Sequence, residues 1–423
     1  MRWTWVAGRA VLAVAVALTA LAAPAARPGG TSAGTDRRGP LTLVTGRDLT
    51  GYLRGVLDGW NRTHPGERVR LIQLPDTADE VHAQMRESLR SGSGRFDVLN
   101  IDVTWTAEFA GEGWISAVDP RGLPLGDLLP AVIETAVYDG RLYAVPFVTN
   151  AGLLFYRKDI LDRERMAPPR TWDELATAAS RLSRKYGMGG YGGQFLPYEG
   201  LTVNVTEAIL SAGGSLVDER GEVTADSPRA LAGLSFLTRG VREGWIPRES
   251  LGHKEENSRL AFQSGKLIFL RNWPYVHAMA SENGSQVAGR FAAVPLPGPA
   301  GPGVGVLGGS NLAVNSRSRH PDSAADLMAY LLSESVQRRV LTEGGLPPVR
   351  ESLYLDRGLA GRFPWLPALL QSVRKAGLRP KHAEYEQMTL AVAAISHGAL
   401  AGRVSPAAAL KRLDRELREV LDR

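Results

Sequence analysis

From Leu41 onward two hydrophobic periodicities alternate along the chain. Leu41 to Thr45 is a short β-prone run, after which Leu49, Leu53, Val56, Leu57 and Trp60 recur at helical spacing. That spacing predicts an amphipathic helix ending before His64-Pro65-Gly66. Val69 to Leu74 predicts a second strand, Val81, Met85 and Leu89 a second helix, and Phe96 to Ile101 a third strand. Strands separated by helices imply parallel pairing with right-handed crossovers, and ligands of such open sheets sit beyond the carboxyl ends of the strands.

A second phase begins near Leu142. Leu142 to Phe147 and Gly152 to Tyr156 predict strands on either side of a Thr149-Asn150 corner. Thr171-Trp172-Asp173-Glu174 has the capping-box pattern of a helix start. Glycines crowd Tyr186 to Gly193 and predict a loop, and Leu216 to Thr224 reads as a hairpin turning at residues 218–221. Pro295 to Gly309, dense in Gly and Pro, is expected to be irregular or extended. Asp322 to Ser333 and Ser405 to Leu421 are expected to be helical, the latter with Leu410, Leu413, Leu417 and Val420 on one apolar stripe.

A length of 423 residues implies two domains or two lobes of one fold. The chain has no cysteine, which removes thiol catalysis, disulfides, Cys-based zinc sites and lipid attachment through Cys. The formal net charge of +6 is spread over single basic residues. No nucleic-acid stripe is indicated; such a charge suits solubility or attraction to an anionic cell surface. Arg2 and Arg9 precede an apolar run from Ala10 to Ala23, with small residues at Ala23-Pro24-Ala25. The run is shorter than the roughly 20 residues of a membrane span and is broken by Pro24, so residues 1–26 read as an export signal. Residues 27–40 read as a disordered tether.

Several enzyme signals dissolve on inspection. Gly303-Val304-Gly305-Val306-Leu307-Gly308 follows a Pro-rich loop and leads toward an apolar run rather than a helix, which argues against a dinucleotide fingerprint. His382-Ala383-Glu384 lacks the paired cysteines of a deaminase. The seven histidines lie far apart and read as surface or capping residues, so no metal or other cofactor is expected. Glu199, Glu207, Asp102 and Asp97 fit either the acid and base of a glycosidase or acceptors for sugar hydroxyls, and sequence spacing does not separate the two.

One segment joins features that a carbohydrate needs. The apolar run Leu267 to Leu270 leads into Arg271-Asn272-Trp273-Pro274-Tyr275, which offers planar polar groups and two aromatic faces at one strand end. Three other segments accompany it. These are Phe96 to Trp105 continuing to Trp114, Gly140 to Phe147 with Asn150 to Asp159, and Tyr198-Glu199-Gly200-Leu201 through Glu207 to Gly213-Gly214. Gly308-Gly309-Ser310-Asn311-Leu312-Ala313 follows. In this order and spacing the chain resembles the extracellular solute-binding proteins of ABC sugar importers, family 1, and within them the trehalose/maltose-binding branch. The resemblance runs from about Leu41 to the end, through Gly345-Leu346-Pro347-Pro348 and Leu378-Arg379-Pro380.

The resemblance implies an α/β, two-lobed, periplasmic-binding-protein-like fold of type II, each lobe a mixed sheet flanked by helices, with a hinge between them. It places residues 41–146 and 303–345 in lobe 1 and residues 147–302 and 346–423 in lobe 2. Crossings are expected near Pro146–Thr149, Pro295–Gly303 and Leu346–Val349, where a hinge can absorb rotation. The ligand contacts it implies are Asp102 and Trp105, Asn150, Tyr198 and Glu199, Trp273 and Tyr275 with Arg271 nearby, Gly308 and Gly309 as a close backbone approach, and Arg379. Trp114 and Tyr143 read as core residues, and the position near His82 is a further candidate.

The function it implies is a monomeric extracellular receptor that captures a di- or oligosaccharide and hands it to a membrane permease. The alternatives are a secreted glycoside hydrolase using Glu199 with Asp102 or Glu207, and a sensor without a transporter. The branch often carries an acidic residue where Asn150 stands and a tyrosine where Val148 stands, so the sugar is expected to differ. Lacking the cysteine that commonly anchors such receptors, this one is expected to be released or held by its uncleaved signal at the outer face of the membrane.

Overall fold

The computed structural model describes residues 37–75, 78–218 and 220–422. The expected export signal and residues 27–36 of the expected tether lie outside them. In chain order the strands are β1 (Leu41–Thr45), β2 (Val69–Gln73), β3 (Val98–Asp102), a short hairpin of β4 (Val137–Tyr138) and β5 (Arg141–Leu142), β6 (Ala144–Ala151), β7 (Leu153–Arg157), β8 (Gly189–Gly192), β9 (Leu267–Asn272), β10 (Phe291–Pro295) and β11 (Leu307–Val314). They build two larger sheets, of order β2-β1-β3-β11-β6 and β10-β7-β9-β8. The first three strands are parallel, as the alternation with helices predicts, and β11 returns antiparallel between β3 and β6. Both sheets are therefore mixed, with helices packed on their faces.

The chain passes between the sheets at three places that lie side by side. Gly152 separates β6 from β7, and residues 296–306 separate β10 from β11. The third passage is at Gly377, whose N–H donates to the Gly305 carbonyl at 3.0 Å and whose carbonyl accepts from the Leu307 N–H at 2.9 Å. Beyond it, helix Tyr385–Leu400 packs on helices Glu199–Ser211 and Pro406–Leu421, beside the second sheet. Residues 347–349, where a further passage is expected, are themselves bonded to the first sheet. Pro348 bridges Val148, the Thr149 N–H donates to the Pro347 carbonyl at 3.2 Å, and the Val349 N–H is taken by the Gln337 side chain at 2.9 Å. These bonds hold residues 347–349 on the first sheet.

Other local expectations are corrected by tertiary contacts. β6 runs straight through Thr149 and Asn150, because β11 pairs with it as far as Ala151, and the break falls at Gly152. The glycine-rich stretch is a strand, β8, parallel to β9. A Cβ on Gly190 would stand 2.6 Å from the Trp245 carbonyl oxygen, so the glycine lets this strand fit against its neighbour rather than loosening it. The strand β11 also claims Leu307 to Gly309 from the segment expected to be irregular. The first helix is Tyr52–Thr63, with Leu49 exposed outside it. Within the span read as a tether, the Gly39 N–H donates to Ser323 at 3.0 Å and Arg37 pairs with Asp322 at 2.9 Å.

The expected capping box is present. Thr171 Oγ1 accepts from the Glu174 N–H at 3.2 Å while Glu174 accepts from the Thr171 N–H at 3.0 Å, starting helix Trp172–Tyr186. Thr171→Ala should lower stability by about 1 kcal/mol, read from the midpoint of urea unfolding. The C-terminal helix Pro406–Leu421 buries its predicted stripe of Leu410, Leu413, Leu417 and Val420.

Candidate functional site: a cleft between the two sheets

A cavity of about 390 Å³ opens where the two sheets face each other. Asp102 ends β3 at its carboxyl end, as expected for a parallel sheet. Its Oδ1 accepts from the Thr104 N–H at 2.9 Å and the Thr104 hydroxyl at 2.8 Å, which fixes the turn into helix Trp105–Gly111. Trp105, on the first turn of that helix, lines the cavity and also packs on the core at Phe109. Trp114 and Tyr143 pack against the same core cluster.

Ten of the eleven predicted site residues line the cavity: Asp102, Trp105, Asn150, Tyr198, Glu199, Trp273, Tyr275, Gly308, Gly309 and Arg379. Arg271 does not. It is 1% exposed, with Nε and Nη2 donating to the two Glu207 oxygens at 2.7 and 2.6 Å and Nη1 to Gln194 at 2.9 Å. Its guanidinium lies 4.1 Å from the Trp273 ring centroid, so it backs the indole rather than reaching the cavity. Glu207 also accepts from the Val306 N–H at 3.2 Å, on the passage between the sheets.

The two glycines also answer to close neighbours within the protein. A Cβ on Gly308 would stand 3.1 Å from the Trp273 ring, so its absence admits the indole. Gly309 has φ +126°, and a Cβ there would come 2.1 Å from the Val148 carbonyl oxygen, beside the register shift of β11 against β6.

Arg379 is the electrostatic centre of the cleft. Its side chain is 3% exposed; it pairs with Glu199 and, through Nη2 at 3.2 Å, with Asp102. Burial opposes its charge, but Asp102, Tyr385 and Glu199 together raise its pKa above that of an ordinary arginine. Burial pushes the Glu199 carboxyl above the usual carboxylate range, although Arg379, Thr389 at 2.5 Å and Tyr385 at 2.7 Å all favour its charged form. Three buried polar atoms on cavity-lining residues have no hydrogen-bond partner within the described residues: Asn100 Oδ1, Asn150 Oδ1 and Arg379 Nε.

The model of the bacterial extracellular solute-binding proteins matches residues 46–338. The chain belongs to this family. A probable ABC transporter-binding protein of Deinococcus radiodurans is 33% identical over 380 residues, covering 86% of this chain and 89% of its own length. Among solved structures, maltose-bound MalE3 of T. maritima has a TM-score of 0.85 at 32% identity, over 90% of this chain and 99% of that one. The GacH receptor of Streptomyces glaucescens, solved unliganded and with acarbose, has a TM-score of 0.82 at 26% identity, over 91% and 99%.

Reading the sequence as a solute-binding protein still missed part of the cleft wall. Arg47 to Thr50, Asn100, Glu255 and Leu346 all line the cavity. Asp48 has a legible signal, an acidic residue just before a helix. Its carboxylate accepts from the N–H groups of Thr50, Gly51 and Leu53 at 3.1, 2.9 and 2.9 Å and so shapes this loop. Glu255, the first residue of helix Glu255–Gln263, has no comparable signal. His82 is not a surface residue. It is 3% exposed beneath Trp105, with Nε2 2.6 Å from Glu108 and Nδ1 3.6 Å from Glu386 across the cleft.

Proposed function

We propose that this solute-binding protein captures a di- or oligosaccharide between its sheets and delivers it to the permease of an ABC importer. The observation that carries the reading is the pairing, in one cavity, of two aromatic side chains, Trp273 and Tyr275, with the polar side chains of Asp102, Asn150, Glu199 and Arg379. A pyranose presents an apolar C–H face and a rim of hydroxyl donors, and needs both kinds of partner. The maltose and acarbose bound by MalE3 and GacH are of that chemistry. Asp102 and Asn150 lie on the first sheet and Trp273 at the end of a strand of the second, so a sugar touching all of them favours the closed arrangement over an open one.

Binding without turnover agrees with the carboxylates. A glycosidase needs two of them flanking the scissile bond, whereas Arg379 stands between Asp102 and Glu199, and Glu207 is buried on Arg271. Residues 1–26 serve export, and the mature receptor works as a monomer at the outer face of the membrane.

A thermal-shift panel of mono-, di- and oligosaccharides against the mature protein tests the reading. A sugar at 100 times its Kd should add about 2.7 kcal/mol of stability. Absence of a shift with every sugar, from a folded sample, would sink it.

A further inference from the structure

Helix Glu255–Gln263 opens on two adjacent carboxylates, and each takes the hydroxyl of one cleft tyrosine. Glu255 Oε2 accepts from Tyr198 at 2.5 Å, and Glu256 Oε1 accepts from Tyr275 at 2.6 Å. The two carboxylates differ in their access to the cavity. Glu255 lines it, whereas Glu256 is outside its wall. An influence of Glu256 on a sugar in the cavity therefore runs through Tyr275.

Glu256 is itself held in place. Arg259 Nε donates to its two oxygens at 3.1 and 3.0 Å, and Nη2 donates to Oε2 at 2.7 Å. Such a fork fixes the plane of a carboxylate as well as its position. Arg259 is buried, and its Nη1 donates to Gln263 one turn further along the same helix. Burial first, and the Glu256 charge after it, raise the Tyr275 phenol well above its ordinary pKa, so the hydroxyl stays protonated and donates.

The backbone of Tyr275 is set separately, by Pro274 before it and by the short helix Val276–Ala280 after it, which packs on helix Glu255–Gln263. What remains free is the side chain's χ1, with three staggered wells. The hydroxyl is at the far end of the side chain, so a change of well carries it out of reach of Glu256. The hydrogen bond thus fixes where the ring stands. A flip of the ring about its own axis exchanges identical faces and leaves the bond intact.

We propose that Glu256 is a positioning residue for sugar binding, anchored by Arg259 and acting through the Tyr275 hydroxyl to hold that ring against the cavity. The proposal rests on the sugar-receptor reading above, and its test is built so that the two fail separately.

The test combines calorimetric titration of the sugar identified in the melting panel with ¹H–¹³C spectra of ring-labelled tyrosine, the Tyr275 resonances being identified by their loss in Y275F. Glu256→Ala should weaken binding about fivefold and move the Tyr275 resonances. Glu256→Asp, which keeps the charge but falls a methylene short of the phenol, should do nearly the same. Glu256→Gln, which keeps the length and one acceptor oxygen, should restore most of both. If the carboxylate served only as the partner of Arg259, Asp would be the better substitute, and that order overturns the proposal. Tyr275→Phe keeps the ring without its hydroxyl and should lose about as much as Glu256→Ala. Adding Glu256→Ala to Y275F should then cost less than about twofold more, because the bond it acts through is already gone. An undiminished loss in that background overturns the proposal, as does wild-type affinity in E256A. Should Glu256→Ala fail to fold, the comparison of E256D with E256Q decides alone. A wild-type protein that binds no sugar defeats the receptor reading. The Tyr275 resonances still report on the hold in that case, and unmoved resonances in E256D overturn it.

Discussion

Replacing Trp273 by alanine is expected to weaken sugar binding by on the order of 30-fold or more, about 2 kcal/mol, as for a central aromatic anchor. The indole follows the end of β9 and is half-buried, with Arg271 against it at 4.1 Å and Gly308 making room for its outer ring. Truncation removes the apolar face that a pyranose needs and widens the cavity on that side. Trp273→Phe keeps a smaller face and should fall between the two. The fold should tolerate both, because the Arg271–Glu207 pair beneath does not depend on the indole. Calorimetric titration measures the losses, and circular dichroism checks the fold. Alanine at 273 with wild-type affinity would place the sugar elsewhere.

The largest loss of stability is expected at Arg271. Arg271→Met removes the only cation that pairs with Glu207 among the described residues and leaves a carboxylate with 5% side-chain exposure facing an apolar methionine. Breaking a buried pair from one side costs about 3–5 kcal/mol, because the remaining charge loses its compensation. Two apolar residues of similar volume avoid that penalty, so Arg271→Met with Glu207→Met should be more stable than Arg271→Met alone. The double variant still loses the acceptor for the Val306 N–H, which leaves it below wild type. Urea unfolding followed by circular dichroism gives all three values. A single variant within about 1 kcal/mol of wild type would mean that the pair does not tie the second sheet to the passage at Val306.

The contrast between Arg271 and Trp273 shows how far the cleft was legible in the chain. The two are separated by one residue at a strand end, so a period of two brings guanidinium and indole to the same side. Which of them meets the cavity depends on Glu207, 64 residues earlier in sequence, and no local pattern encodes that encounter. Gly308 and Gly309 were legible as positions that refuse a side chain, but not for whose benefit. One makes room for an indole from the other sheet and the other accommodates irregular pairing within its own sheet. Glu255 escaped altogether: a carboxylate opening a helix is ordinarily there for the helix dipole, and only the fold brings the Tyr198 hydroxyl onto it.

The elements followed the same division. Helix Trp172–Tyr186, helix Pro406–Leu421 and strands β1 to β3 were readable because capping chemistry and hydrophobic periodicity act between residues close in sequence. Strand β8 was not, because its glycines are a response to Trp245 and to the neighbouring strand rather than a local preference. The order and spacing of the chain's motifs, through their resemblance to solute-binding proteins, were enough to name a two-lobed α/β receptor and ten of the side chains that line the cleft. Tertiary structure alone decided which charges neutralise one another, Arg271 with Glu207 and Arg379 with Glu199 and Asp102, and therefore which groups stay open to a ligand. Buried charges must find partners wherever the fold supplies them, and those partners lie far away in sequence.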